Sequence, residues 1–208
     1  MRNSKTLRLF AVALMLVTLA AADEYKIDPA HSAATFSVRH MLVTNVHGRF
    51  GAMSGTINFD PKDPSKCSVD AVIKTDSINT DNEGRDKHLK SADFFEVEKY
   101  PEITFKSTKV EKRGEQWVAI GNLTMKGVTK QIELPFELAQ LDTPRGKIIG
   151  VTATTTLNRQ DYGVSWSRKL DNGGLAVSDN VKIEINVEAR PPAPPRPAAA
   201  APATPPKS

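Results

Sequence analysis

Period-two alternation of apolar and polar residues recurs eight times along this chain, with almost no helical pattern between the repeats. Ala34, Phe36 and Val38 alternate with Thr35, Ser37 and Arg39, and Val69, Ala71 and Ile73 with Asp70 and Lys74. Ile103 and Phe105 follow the same rule, as do Ile132, Leu134, Phe136 and Leu138 against Gln131, Glu133 and Glu137. Ile149, Val151, Ala153 and Thr155 make another such run, and Val181, Ile183, Ile185 and Val187 the last. Val46–Phe59 reads as one long strand broken by Gly48, Gly51 and Gly55, where bulges or tight bends are expected, and Trp117–Met125 as a strand entered through the turn Lys112-Arg113-Gly114. Successive side chains of a strand point to opposite faces, so each segment is half apolar and half polar. Eight such strands joined by short turns must hide one face. Antiparallel sheets do this as a sandwich or as a closed barrel, and closure also removes the exposed edges. A barrel of eight strands has an interior just wide enough for packed side chains or one elongated ligand.

One stretch departs from the pattern. Thr80-Asp81-Asn82-Glu83 fits a capping box, and Asp86 and Lys90 stand one helical turn apart. Asp81–Lys90 is expected as a short helix, with Ser91–Phe95 running on into a loop. Phe94 and Phe95 are too apolar to be left in water and are expected to plug or line a barrel mouth.

The two ends differ from the middle. Arg2, Lys5 and Arg8 precede an apolar run from Leu9 to Ala20, and Ala20-Ala21-Ala22 precedes Asp23. A cationic start, a short apolar region and small residues at a cleavage position make a secretory signal peptide, with cleavage expected after Ala22 and a periplasmic or secreted destination. The 12-residue run is too short to span a bilayer core of about 30 Å at about 1.5 Å per residue. At the other end, residues 191–208 contain eight Pro and six Ala, a composition expected to form an extended, disordered spacer. The folded domain is therefore expected at residues 23–190. The formal charge of +4 belongs to the ends: the leader carries +3 and the tail +2, which leaves −1 for the domain. No nucleic-acid partner is expected from that balance. Cys67 is the single cysteine, so no internal disulfide can staple the domain, and it reads as a small strand residue rather than a thiolate nucleophile.

Motifs of catalysis are sparse. His31, His40, His47 and His88 show no zinc-ligand spacing, and no metal or other cofactor is expected. Ser54 lies in Met53-Ser54-Gly55, without the elbow that activates a hydrolase serine. Asn172-Gly173-Gly174 reads as a hairpin turn rather than a phosphate loop, and Asn122 of Asn122-Leu123-Thr124 as a strand residue rather than a glycosylation site. No catalytic residue is assigned.

Several pieces, in this order, resemble the YceI-like family of exported polyisoprenoid-binding proteins. They are "IDPAHSAATFSVRHMLVTNVHGRF", "INTDNEGRDKHLKSADFFEVEKYPEITFKS", "GNLTMKGVTKQIELPFEL" and "NRQDYGVSW". The likeness runs from about Tyr25 to Ala189; Tyr162 stands where Phe is more usual, and the Pro/Ala tail lies outside it. The resemblance implies an all-β fold, a lipocalin-like antiparallel eight-stranded barrel around a long apolar tunnel, and binding of a prenyl-chain amphiphile such as a prenyl quinone or prenyl phosphate rather than catalysis. Taken by pattern alone the interior apolar positions read as packed core. With the resemblance, Phe36, Val38, Phe50, Phe94, Phe95, Ile103, Phe105, Leu134, Phe136, Val151 and Trp166 become the expected tunnel wall. Arg85 and His88 are the candidates for a ligand head group, since a guanidinium suits oxyanions; the plainer reading is that Arg85, Asp86 and His88 fix the helix to the barrel rim. Fatty acids, fatty amides or hydrophobic antibiotics are alternative ligands, and a lipid-ester hydrolase using Arg85, Asp86 and His88 is the alternative of a different class. Transient membrane contact and a homodimer stay open for such a carrier.

Overall fold

In the computed structural model, residues 22–144, 146–168 and 175–193 are described. Residues 1–21 of the expected signal peptide, most of the Pro/Ala tail and the expected turn at Asn172-Gly173-Gly174 lie outside the described residues. Eleven strands occur among the described residues: β1 (Asp23–Ile27), β2 (Ala33–His40), β3 (Thr44–Phe50), β4 (Met53–Phe59), β5 (Ser68–Lys74), β6 (Ile78–Asn79), β7 (Glu102–Arg113), β8 (Gln116–Met125), β9 (Val128–Thr143), β10 (Gly146–Asn158) and β11 (Val177–Arg190). All pair antiparallel with their neighbours. The ring runs β1–β4–β5–β7–β8–β9–β10–β11 and returns to β1, a closed barrel of eight.

Eleven strands make eight because three strands of the ring are each broken in two, one of them as β5 and β6 on either side of the 3-10 turn Thr75–Ser77, pairing with β4 and β3 respectively. β1 and β2 are halves of one strand, bent at the 3-10 turn Pro29–His31, whose Asp28 cap accepts from the Ala30 amide; both halves pair with β11. β3 and β4 are likewise halves parted at Gly51-Ala52, β3 pairing with β2 and β4 with β1. The seam is dry. Ala189 pairs with Ile149 on one side and Ile27 on the other, and Ala189 and Ile149 are both fully buried.

The glycine expectations divide. Gly55 has φ +152°, and a β-carbon there would stand 2.2 Å from the Asp70 carbonyl oxygen, so only glycine allows β4 to approach β5. Gly48 makes no bulge: it keeps ordinary register opposite Phe36, and the Phe36 ring occupies the space its side chain would fill, 2.3 Å from an added β-carbon. Cys67 is likewise not in a strand; it ends the 3-10 turn Pro64–Lys66 just before β5, where burial raises its thiol pKa.

The helix α1 spans Glu83–Lys90, two residues shorter at its start than expected. Asp81 has φ +58°, which no helix accommodates, and Asn82 rather than Thr80 is the cap, accepting from the Arg85 amide at 2.8 Å. Thr80 serves the reverse purpose. Its amide donates to Asp86 Oδ1 at 2.9 Å, its hydroxyl donates to the same oxygen, and Arg85 clasps its carbonyl and hydroxyl oxygens. The expected Asp86–Lys90 pair is therefore absent among the described residues. Residues 91–100 follow as turns, with Lys126 Nζ donating to the Ala92 carbonyl and so tying them to the β8–β9 hairpin.

These elements gather at one end of the barrel. β7 begins at Glu102, opposite Lys74, while β6 pairs only with β3. Beyond that point the wall between β3 and β8 is not strand, and α1 with residues 91–100 stands there instead.

Candidate functional site

The inward faces enclose space rather than filling it. Two cavities lie in the barrel. The first occupies the body and encloses about 1260 Å³ of empty volume, open solvent at its mouth included. Its wall is almost wholly apolar and takes residues from every strand of the ring, with Ile103 and Phe105 of β7, Leu134 and Phe136 of β9 and Val151 of β10 among them. Gly121 of β8 opens room beside Phe105: an added β-carbon would lie 2.8 Å from that ring. Far from α1 the lumen is stopped by Phe59, Trp117 and Phe136, with ring centroids 5.1 and 6.2 Å from Trp117 and the Lys112 ammonium 5.7 Å from the Trp117 ring. Strand alternation alone did not mark Phe59 and Trp117 as that stop.

The second cavity, of about 1150 Å³ on the same measure, lies under α1. Val38, Phe94, Phe95 and Trp166 line it, together with Arg85 and His88. Phe36 and Phe50 line both cavities and stand between them as a waist, ring centroids 5.8 Å apart, with Phe95 edge-on to Phe50 at 5.5 Å. All eleven expected wall positions thus face one lumen or the other.

Polar side chains in the wall of the first cavity are the neutral Thr35, Asn58, Ser68 and Thr155, whereas His40, Arg85, His88, Arg159 and Tyr162 line the second. Arg85 commits Nε (2.8 Å) and Nη2 (2.7 Å) to Thr80, which makes it an anchor of α1 as well as a lining residue. His88 hydrogen-bonds Asp93 through Nε2 at 2.8 Å and meets Phe94 and Trp166 edge-on, centroids 5.0 and 5.3 Å away. Asp86 turns to Thr80, so Arg85, Asp86 and His88 do not assemble as a catalytic group. Half-buried Asp28 and Glu188 and exposed His31 are close enough to suggest a metal site, but Arg190 already lies 3.3 Å from Asp28 and 2.6 Å from Glu188, satisfying both carboxylates.

Two residues of "NRQDYG" enter the site without having been singled out as lining it. Arg159 is 6% exposed and donates to the carbonyls of Ser178, Val164, Trp166 and Val177 and to Asp179 Oδ1. It fixes the segment that carries Trp166 against the start of β11. Burial lowers its pKa, an effect the Asp179 carboxylate opposes. Tyr162 is 2% exposed and lines the same cavity, and burial raises its phenol pKa. The signal for both was the motif itself; nothing in their local spacing told a carbonyl-binding arginine from a solvated one.

The YceI-like domain profile matches residues 25–189. Protein YceI of Salmonella newport is 38% identical over 190 residues, covering 88% of this chain and 96% of that protein. Among solved structures, the YceI protein of Campylobacter jejuni superposes with a TM-score of 0.62 at 35% identity, covering 72% of this chain and 87% of that one. BcnA of Burkholderia cenocepacia gives 0.71 at 23% identity over 79% and 99% of the two chains. A polyisoprenoid binding domain from Saccharophagus degradans gives 0.61 at 19% over 81% and 98%; these last two likenesses speak to the fold alone. The barrel described above is shared across them, and the chain belongs to the YceI-like family.

Proposed function

We propose that this protein is an exported carrier or sequestering protein that holds a polyisoprenoid-chain amphiphile, a prenyl quinone or prenyl phosphate, in its barrel. The observation that carries the reading is the apolar lumen itself: two cavities meeting at Phe36 and Phe50, closed at the Trp117 end, with Arg85, His88, Arg159 and Tyr162 gathered at the other. The solved domain described as polyisoprenoid binding has the same fold, which supports the ligand class. The leader sequence supports export.

The chemistry of such a site is mostly that of its walls. Each buried methylene contributes about 0.8 kcal/mol, so a five-carbon unit contributes about 3–4 kcal/mol gross. A few units already approach the practical ceiling near 20 kcal/mol, and ordering the chain offsets much of the rest. The tail fills the first cavity, and the head group lies beside Arg85, His88 and Tyr162. No group on the protein has to react.

Native mass spectrometry with organic extraction of protein purified without detergent from its own host tests this. A co-purifying long-chain prenyl amphiphile is the expected result. Phe105→Asp, which sets a carboxylate against the apolar wall at a cost of several kcal/mol unless it protonates, should abolish that cargo. Repeated recovery of empty protein that also takes up no prenyl quinone in a fluorescence titration would sink the proposal.

A further inference from the structure

The β2–β3 hairpin ends in a tip built unlike the rest of the surface. Met41, Leu42 and Val43 are consecutive, and 42%, 52% and 75% of their surfaces are exposed. The other large exposed apolar residues among those described, Val128 and Leu141, are isolated. The tip is also conformationally expensive. Met41 has φ +52° and Leu42 φ +63°, and the Val43 amide closes the turn on the His40 carbonyl at 3.1 Å. A tight turn with both central residues left-handed is the place for Asn-Gly, because a β-carbon crowds the following carbonyl there. This chain keeps two bulky apolar side chains in that conformation and leaves about half of each in water.

The position of the tip supplies a reason. His40, which begins the turn, lines the second cavity, so the tip projects from the end of the barrel where that cavity opens. The turn is held from behind: Arg39 Nε donates to the Leu42 carbonyl at 3.1 Å, and the Met41 amide donates to the Ala176 carbonyl at 2.9 Å. The Ala176 amide in turn donates to the carbonyl of Arg168 at 2.8 Å, so two guanidinium-bearing residues flank the three apolar ones. Arg39 bonds only neutral acceptors, the Leu42 carbonyl and Asn45 Oδ1, and neither it nor Arg168 forms an ion pair among the described residues, which suits an anionic surface. Three side chains offer on the order of a few hundred Å², well short of the roughly 800 Å² per partner of a stable protein interface. Shallow insertion of an apolar tip under a basic rim is how a lipid interface is held.

We propose that Met41-Leu42-Val43 is a membrane-docking tip that inserts into the interface of an anionic lipid surface and so sets the mouth of the second cavity against the bilayer. It deepens the carrier reading, on which its purpose rests, by naming where cargo is exchanged.

Vesicle flotation tests it, using phosphatidylcholine vesicles with and without phosphatidylglycerol and no added cargo. The purified protein should float with the phosphatidylglycerol vesicles and come off as salt is raised. Leu42→Asp with Val43→Asp should weaken that binding at least about tenfold while circular dichroism and light-scattering mass stay unchanged. Met41→Asn with Leu42→Gly, which installs the turn's preferred residues, should raise the thermal midpoint and lose vesicle binding together. A protein that floats with neither vesicle, or variants that float as well as the parent, would overturn the proposal. So would a halved mass in the aspartate variant with flotation unaltered, which would make the tip a contact between two copies. Flotation reads docking whether or not prenyl cargo is found, so the carrier reading stands or falls separately on extraction.

Discussion

Arg159 shows what a single residue can hide in a sequence. It follows a strand in a polar stretch and by pattern alone is another solvated cation. In the fold it reaches four carbonyls and one carboxylate from a 6%-exposed position, joining Val164 and Trp166 to the first residues of β11. Those partners lie up to 20 residues away, and carbonyl acceptors leave no mark on side-chain chemistry. The wall residues were legible for the opposite reason. An apolar residue in phase with its strand must point inward, so Phe105, Leu134 and Val151 needed no tertiary knowledge. Arg159→Lys keeps the charge but loses the planar fork and leaves buried carbonyls without donors, so it should destabilise the protein by about 2–4 kcal/mol. Urea unfolding gives the magnitude. Fluorescence in native buffer should also report Trp166 becoming more exposed, which a general loss of stability would not produce.

At the scale of elements, alternation located nearly every strand but not where strands break. Asp28–Ser32 and Gly51-Ala52 divide two of them, and the break lets the same chain serve the barrel seam below and the cavity mouth above. Periodicity is blind to that, because both halves keep the same phase. The start of α1 was misplaced because Thr80 is a good cap by type, yet its hydroxyl was already engaged with Asp86 and Arg85. Gly48 illustrates a third limit: glycine in a strand suggests a bulge, whereas here it seats the Phe36 ring at the waist between the cavities. Gly48→Ala should force that ring toward Phe50, with overpacking strain of about 1–3 kcal/mol. The lumen would then be interrupted rather than lost. A short prenyl quinone that fits the second cavity should bind nearly as before, while a long one that must pass Phe36 should bind markedly more weakly. Equal losses for both lengths would mean that the two cavities are not occupied by one chain.

For the molecule as a whole, stability rests on a barrel whose centre is not filled. A single cysteine removes the disulfide route, and the described residues gather into two packed clusters around the lumen, one at each end. Closure itself was legible, since eight half-apolar strands have few other ways to hide their faces, but the narrow seam that completes it was not: β1 meets β11 at only Lys26–Arg190 and Ile27–Ala189. The two end clusters carry buried acids that must remain neutral. Tyr25 and Cys67 lie at the seam end and Tyr162 at the mouth; in all three burial is the largest cause raising the pKa, with Asp23 and Asp161 adding repulsion at the tyrosines, while at Cys67 the hydrogen bond from the Asp60 amide opposes the rise. An acid whose folded pKa lies above its unfolded value keeps its proton in the fold after the unfolded chain has begun to lose it. The native state then binds more protons than the unfolded state, and stability falls as pH rises. The contribution is complete below the ordinary thiol and phenol values, about 8.5 and 10, and is lost progressively above them. Unfolding free energy measured in urea should therefore fall with a first slope beginning near the thiol range and a steeper one in the phenol range. Cys67→Ala should remove the first slope alone. Tyr162→Phe should flatten part of the second without lowering stability at neutral pH, since no other protein group among those described hydrogen-bonds the lost hydroxyl. A profile that stays level through the phenol range would mean that these tyrosines ionise as freely in the fold as in the unfolded chain, and that the ends of the barrel are wetter than their packing implies.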